Sequence, residues 1–88
     1  LKIINTRKRI TEELEKRGWN VIPSESNFVF AKPPKNTKAA ALFEDLKKRE
    51  IFVRYFKGKK TGDRLRITIG TEPQMDKLLN AIDELIIR

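Results

Sequence analysis

The 88-residue sequence carries 20 Lys and Arg against 12 Asp and Glu, a net charge of +8, and contains neither Cys nor His. The missing Cys excludes disulfides and thiol catalysis, and the missing His removes the usual general base and metal ligand. The length predicts one small domain over residues 1–88. The charge excess has two interpretations: ordinary charge for solubility, which is favoured, and attraction of anionic partners such as nucleic acid. No apolar run approaches the roughly 20 residues of a membrane span, so no membrane partner is expected.

The amino-terminal third predicts one helix followed by a short extended segment. Residues 2–17 have amphipathic helical spacing, with Ile10 and Leu14 on the apolar face. Gly18 is expected in the left-handed conformation that ends a helix. Residues 19–23 then predict a short strand that a proline ends.

The middle of the chain predicts three strands and a second helix. Residues 27–32 (NFVFAK) are apolar on both alternating faces, which predicts a central strand covered on both sides. A helix is expected over 37–49, with Thr37 or Asn36 as its cap. Strands are expected over 51–56 and 64–70.

A final helix completes the pattern. Thr71 and Gln74 have the spacing of a reciprocal capping box, and Pro73 suits the first helical turn. Apolar residues then follow a period of 3.6, at Met75, Leu78, Leu79, Ile82, Leu85 and Ile86. The predicted fold class is α+β, a small and mainly antiparallel sheet with helices packed on it, in the order α-β-β-α-β-β-α.

Two arginines are placed inside predicted strands. In RLRIT, Leu65 and Ile67 share one face, and Arg66 belongs to the other. Arg54 is likewise expected inside a strand. A planar guanidinium grips carboxylate or phosphate through two parallel hydrogen bonds. Spacing alone leaves two interpretations, a solvated sheet face, which it favours, and a rigid anion clamp.

No catalytic, cofactor-binding or metal-binding motif is recognisable within the chain. The carboxylates lie at outward helical positions beside Lys or Arg, which is typical of solvated ion pairs. Neither a calcium-loop pattern nor a glycine-rich phosphate loop is present. We therefore predict no catalytic residue and no metal site in this chain.

Three stretches together carry a family resemblance. GWNVIPSESNFVFAK, LFEDLKKREIFVRYF and LRITIGTEPQMDKLLNAI resemble the carboxy-terminal part of histidinol-phosphate aminotransferases. These are fold-type I aminotransferases dependent on pyridoxal phosphate, with the patterns P-S-x-x-N-F, G-I-x-V-R and L-R-I-T-x-G-T. The match departs from the second pattern at Glu50, where the family usually has Gly.

The resemblance implies a site as well as a fold. In this family the segment is a small domain that closes over a cofactor site built mainly by a larger domain. Arg66 would bind the substrate carboxylate and Arg54 would help hold a phosphate, with Asn27 and Phe28 near the domain junction. The intact enzyme would be a cytoplasmic homodimer of histidine biosynthesis that moves an amino group between glutamate and imidazole acetol phosphate. Its partners would be anionic small molecules.

The same resemblance implies what this chain lacks. The cofactor's lysine and phosphate cradle belong to the larger domain, so the chain alone is expected to be inactive and to bind no cofactor. An alternative from a different class is a basic nucleic-acid-binding module, with bases stacking on Phe28, Phe30, Tyr55 and Phe56. The absence of an RNP1-like pattern argues against it. A third interpretation is an interaction domain that self-associates through its sheet.

Overall fold

Seven elements follow one another in a computed structural model that describes residues 2–22, 27–58 and 63–86. They are α1 (Lys2–Lys16), β1 (Asn20–Ile22), β2 (Phe28–Lys32), α2 (Ala39–Lys48), β3 (Arg54–Phe56), β4 (Arg64–Thr68) and α3 (Glu72–Leu85). The predicted α+β class and element order are confirmed. Residues 23–26, which hold the Pro and Ser of the P-S-x-x-N-F match, and residues 59–62 lie outside the described residues.

The four strands form one sheet in the order β1-β2-β4-β3, and every neighbouring pair is antiparallel. Helix α1 packs on β1 and β2, α2 packs on β3 and β4, and α3 contacts both other helices. We call these three helices the helix layer. Its apolar residues and one face of the sheet form the core, with the strands contributing Val21, Val29, Ala31, Leu65 and Ile67.

The beginning of α3 confirms the predicted capping box. The Gln74 backbone amide donates to the Thr71 side-chain oxygen Oγ1 at 3.3 Å, and the Thr71 backbone amide donates to the Gln74 side-chain oxygen Oε1 at 2.8 Å. A Cβ at Gly70 would displace Gln74 Oε1 and so disturb the capping box. The predicted apolar stripe is also confirmed, since four of its members are buried: Met75, Leu78, Leu79 and Ile82.

The beginning of α2 differs from the prediction. The N-cap is Lys38, with no side-chain hydrogen bond, so capping by Thr37 or Asn36 is wrong. Asn36 has a φ of 70°, and the Thr37 amide instead donates to the Pro34 carbonyl at 3.1 Å. A turn therefore occupies these positions, and the helix begins two residues later than expected.

Strand β3 is shorter than predicted. Glu50 has a φ of 62°, and the Ile51 amide donates to the Leu46 carbonyl at 2.9 Å, so this segment still completes the end of α2. Only the last three residues of the predicted 51–56 strand pair with β4. Arg54 is consequently the first residue of β3 and not an internal one, so the prediction that it lies well inside a strand is wrong.

Strand β2 is central, but its predicted cover on both sides is wrong. Val29 and Ala31 are buried against the helix layer, whereas Phe28 and Phe30 are half-buried on the opposite face. In the described part of the chain, no helix covers that face. We call it the arginine face, and it consists of Asn20, Ile22, Phe28, Phe30, Lys32, Arg54, Phe56, Arg64, Arg66 and Thr68.

Candidate functional site

The strand register brings Arg54 and Arg66 together on the arginine face. Their Cα atoms are direct partners in the β3–β4 ladder, and Arg66 is also the direct partner of Phe30 on β2. Side chains at such positions are close neighbours, and like charges directly opposite each other are unfavourable. The pair is therefore a place where a bound anion would relieve repulsion.

Arg66 is held by aromatic rings. Its Cζ lies 5.1 Å from the centroid of the Phe28 ring and 6.0 Å from that of Phe56. The side chain is half-buried, and its Nε is buried without a hydrogen-bond partner. None of the ion pairs formed between described residues involves Arg66 or Arg54. Arg66 is thus a partly desolvated cation with no carboxylate partner in this part of the chain.

The rings around Arg66 form a connected cluster. Phe28 and Phe30 meet edge to face with centroids 5.3 Å apart, and Phe30 meets Phe56 in the same way at 5.5 Å. Sequence reasoning placed Phe30 and Phe56 only in the nucleic-acid alternative and not in the anion site. The available signal was the period of two in each strand, which places these rings on the face that carries Arg66.

Arg64 has a different role from Arg66, although both project from the same face of β4. Its Nη1 donates to the Asn20 carbonyl at 3.1 Å, and its Nη2 donates to Asn20 Oδ1 at 2.7 Å. Because Asn20 lies on β1, these bonds cross over β2 and tie the edge of the sheet to its centre. Arg64 therefore has a structural role, because it stabilises the sheet.

The structure brings together three of the four predicted site residues. Arg66, Arg54 and Phe28 lie on the arginine face, with Phe28 against Arg66. Asn27 is separate. Its side chain is exposed, and its carbonyl accepts the Ile69 amide at 2.7 Å, which extends the β2–β4 pairing by one bond.

The arginines of the helix layer are paired with carboxylates. Arg17 Nε donates to Asp83 at 2.7 Å and its Nη1 to Glu13 at 2.8 Å, which joins α1 to α3. The bond to Asp83, then that to Glu13, raises the pKa of the Arg17 guanidinium, and the bond from Arg17 lowers the pKa of Glu13. Arg9 bridges Glu72 and Asp76 in the same way. These charges stabilise helix packing.

Tyr55 lies on the helix side of β3, opposite Leu65. Its hydroxyl donates to Asp63 Oδ2 at 2.6 Å, and this bond raises the pKa of the phenol. Its ring packs near Phe43, with centroids 6.2 Å apart. Tyr55 is therefore absent from the arginine face, and one of the four aromatic residues of the nucleic-acid alternative is misplaced for that role.

Neither a membrane-spanning helix nor an acidic metal cluster occurs within residues 2–22, 27–58 and 63–86. No helix there is both long enough and apolar enough to span a bilayer. No cluster of three or more acidic side chains there could hold a metal ion.

Comparison with known sequences identifies related proteins. The sequence model for aminotransferase class I and II matches residues 1–82. Histidinol-phosphate aminotransferase 2 of Rhizobium meliloti is 46% identical over 85 residues, which are 97% of this chain and 24% of that protein. The histidinol-phosphate aminotransferase of Acetobacter pasteurianus is 41% identical with the same coverage. The chain thus spans about a quarter of the length of these relatives.

Solved structures show the same relationship. A putative aminotransferase from Burkholderia pseudomallei superimposes with a TM-score of 0.75 at 31% identity, over 96% of this chain and 25% of that one. A decarboxylase from Sulfurospirillum multivorans superimposes with a TM-score of 0.81 at 28% identity, over 93% and 24%. These comparisons give no support to the nucleic-acid alternative. The chain belongs to the class I and II aminotransferase family.

Proposed function

We propose that this chain is the carboxy-terminal small domain of a pyridoxal-phosphate-dependent histidinol-phosphate aminotransferase, and that its arginine face binds the substrates' anionic groups. Histidinol-phosphate aminotransferases are 41–46% identical to nearly the whole chain, which supports the choice of enzyme. The observation that carries the site is the opposed pair of Arg54 and Arg66, which no described carboxylate neutralises.

The two arginines have different assignments because their positions differ. Arg66 is half-buried at the centre of β4 and is held by aromatic rings. It therefore binds the anionic group of either substrate, which is the carboxylate of glutamate or the phosphate of the phosphorylated substrate. Arg54 is exposed at the beginning of edge strand β3, and it adds a second cation for the more highly charged phosphate.

Pyridoxal phosphate supplies the electron sink for amino transfer when it is bound, and its site needs a suitably placed lysine. The described residues do not fit this requirement, because every described lysine whose side chain is placed is exposed. We therefore assign the cofactor to the larger domain and expect the 88-residue chain alone to be inactive. The same proposal includes a homodimeric intact enzyme.

Variants of the intact enzyme test the anion site. Arg66→Ala should lower kcat/KM for both substrates by roughly 10²-fold, which corresponds to about 3 kcal/mol of charge-assisted binding. Arg54→Ala should affect the phosphorylated substrate more than glutamate. Arg9→Ala, which removes an ion-paired arginine of the helix layer, is the control. Unchanged kinetics would remove Arg66 from the site, and equal losses in the Arg54 variant would refute the division of roles.

The assignment of the cofactor to another domain has its own test. The 88-residue chain is mixed with pyridoxal phosphate, reduced with borohydride and digested for mass spectrometry. We expect only scattered, substoichiometric labelling of exposed lysines. Stoichiometric labelling of one lysine would show that this chain holds the cofactor itself.

A further inference from the structure

We propose that Phe56, together with Phe28, is a positioning residue that holds the Arg66 guanidinium in place for a substrate anion without neutralising it. The catalytic part of this inference rests on the proposed function. The contact itself rests on the two ring-to-guanidinium distances of 5.1 and 6.0 Å.

The physical argument concerns how an arginine is fixed. Its long side chain loses rotamer freedom when it is held in one geometry, so some partner must compensate. Arg17 in the helix layer is held by two carboxylates, which already occupy three of its N–H donors. If carboxylates held Arg66 in the same way, a substrate anion would have to displace them. Aromatic faces attract a guanidinium while leaving its outward donors available.

The strand positions and the packing of the rings place the aromatic cluster beside Arg66. Phe56 follows Arg54 by two residues on β3, so both project from the arginine face. The Phe30 ring lies between the two rings that contact Arg66, with edge-to-face interplanar angles of 85° to Phe28 and 74° to Phe56. The rings therefore restrain one another as well as Arg66.

A matched control exists on the same segment. Phe52 is 73% exposed and makes no ring contact with an arginine among the described residues, whereas Phe56 is 39% exposed and contacts Arg66. Replacing either residue with Leu removes a ring and keeps an apolar side chain. Only the Phe56 change removes a contact to Arg66.

The principal experiment measures KM and kcat for glutamate in the intact enzyme. Phe56→Leu should raise KM about two- to fivefold with kcat nearly unchanged, and Phe28→Leu combined with it should raise KM by about tenfold. Phe56→Tyr, which keeps the ring, should restore the wild-type KM, and Phe52→Leu should have no effect. A general loss of structure would not be rescued by Tyr in this selective way.

A second measurement does not depend on activity. Phenylglyoxal modifies accessible arginines, and peptide mass spectrometry gives the modification rate at Arg66. Phe56→Leu should raise that rate severalfold, and Phe52→Leu should leave it unchanged. If Arg66→Ala impairs the enzyme but Phe56→Leu behaves like Phe52→Leu in both assays, the positioning role is refuted while the proposed function stands. If Arg66→Ala leaves kinetics unchanged, the proposed function fails, and this inference fails with it.

Discussion

Arg17 in the helix layer and Arg66 on the arginine face are both half-buried, yet their surroundings differ in kind. Arg17 contacts the carboxylates of Glu13 and Asp83, whereas Arg66 contacts aromatic rings and no described carboxylate. Burial alone would rank the two residues together. The identity of the partner separates an arginine that stabilises the fold from one that remains available to a ligand.

The difference also explains where the excess charge acts. Acidic side chains of α3 pair with Arg9 on α1, with Arg17 just after α1 and with Arg49 at the end of α2, so much of the helix layer is locally balanced. On the arginine face, Arg54 and Arg66 are opposed without such compensation. The residues of the arginine face include four cations and no acidic side chain, so this face attracts anions.

The largest expected effect comes from making the same substitution in each region. Ile82 in the helix layer is 1% exposed, and Ile22 on the arginine face is 45% exposed. Ile82→Ala should lower the free energy of unfolding by about 2–5 kcal/mol because it leaves a cavity, and Ile22→Ala by less than about 1 kcal/mol. Urea denaturation measures both. Equal effects would mean that the arginine face belongs to the core.

A smaller effect is expected from the paired arginines. Arg17→Ala should lower the free energy of unfolding by about 1–2 kcal/mol, because it breaks bonds to two carboxylates and its side chain is only 16% exposed. Arg9→Ala, at a more exposed bridge, should cost about 0.2–1 kcal/mol. Neither change should alter kcat/KM of the intact enzyme by more than about twofold. A large kinetic effect with unchanged stability would undo the contrast with Arg66.

Gly70, which connects β4 to α3, gives a third prediction. Gly70→Ala should displace the Gln74 side chain from the capping box and lower the free energy of unfolding by about 0.5–1.5 kcal/mol. In a Gln74→Ala background the colliding oxygen is gone, so the same change should cost nothing further. Thermal unfolding of the four proteins forms a double-mutant cycle. Additive losses would show that strain at Gly70 has another origin.

The smallest effect concerns the helix side of β3. Tyr55 is the single tyrosine, so absorbance at 295 nm reports its ionisation alone. The bond to Asp63 raises its pKa in the folded state, so this bond contributes stability at pH values below about 10 and loses it as pH rises through the folded pKa. The titration midpoint should fall in Asp63→Asn. A midpoint unmoved by that change would contradict the assigned cause.

Local signals predicted the parts of the fold that depend on neighbouring residues. The capping box at Thr71 and the left-handed Gly18, with a φ of 85°, both appear as expected because each needs only a few adjacent residues. The beginning of β3 was misplaced because Ile51 pairs with the end of α2, which no strand pattern reveals. The prediction that β2 is covered on both sides was wrong because the described helices pack on one face of the sheet only. On the other face, the Phe28 ring lies against Arg66 instead.

By itself, the sequence determined the helical and strand periods, the face on which each arginine projects and the family to which the chain belongs. Only the tertiary structure decided which side chains meet, because a period of two specifies a face but not the neighbouring strand. The order β1-β2-β4-β3 places β4 between β2 and β3. That order sets Arg66 between Phe30 and Arg54, and it leaves Arg64 within reach of Asn20.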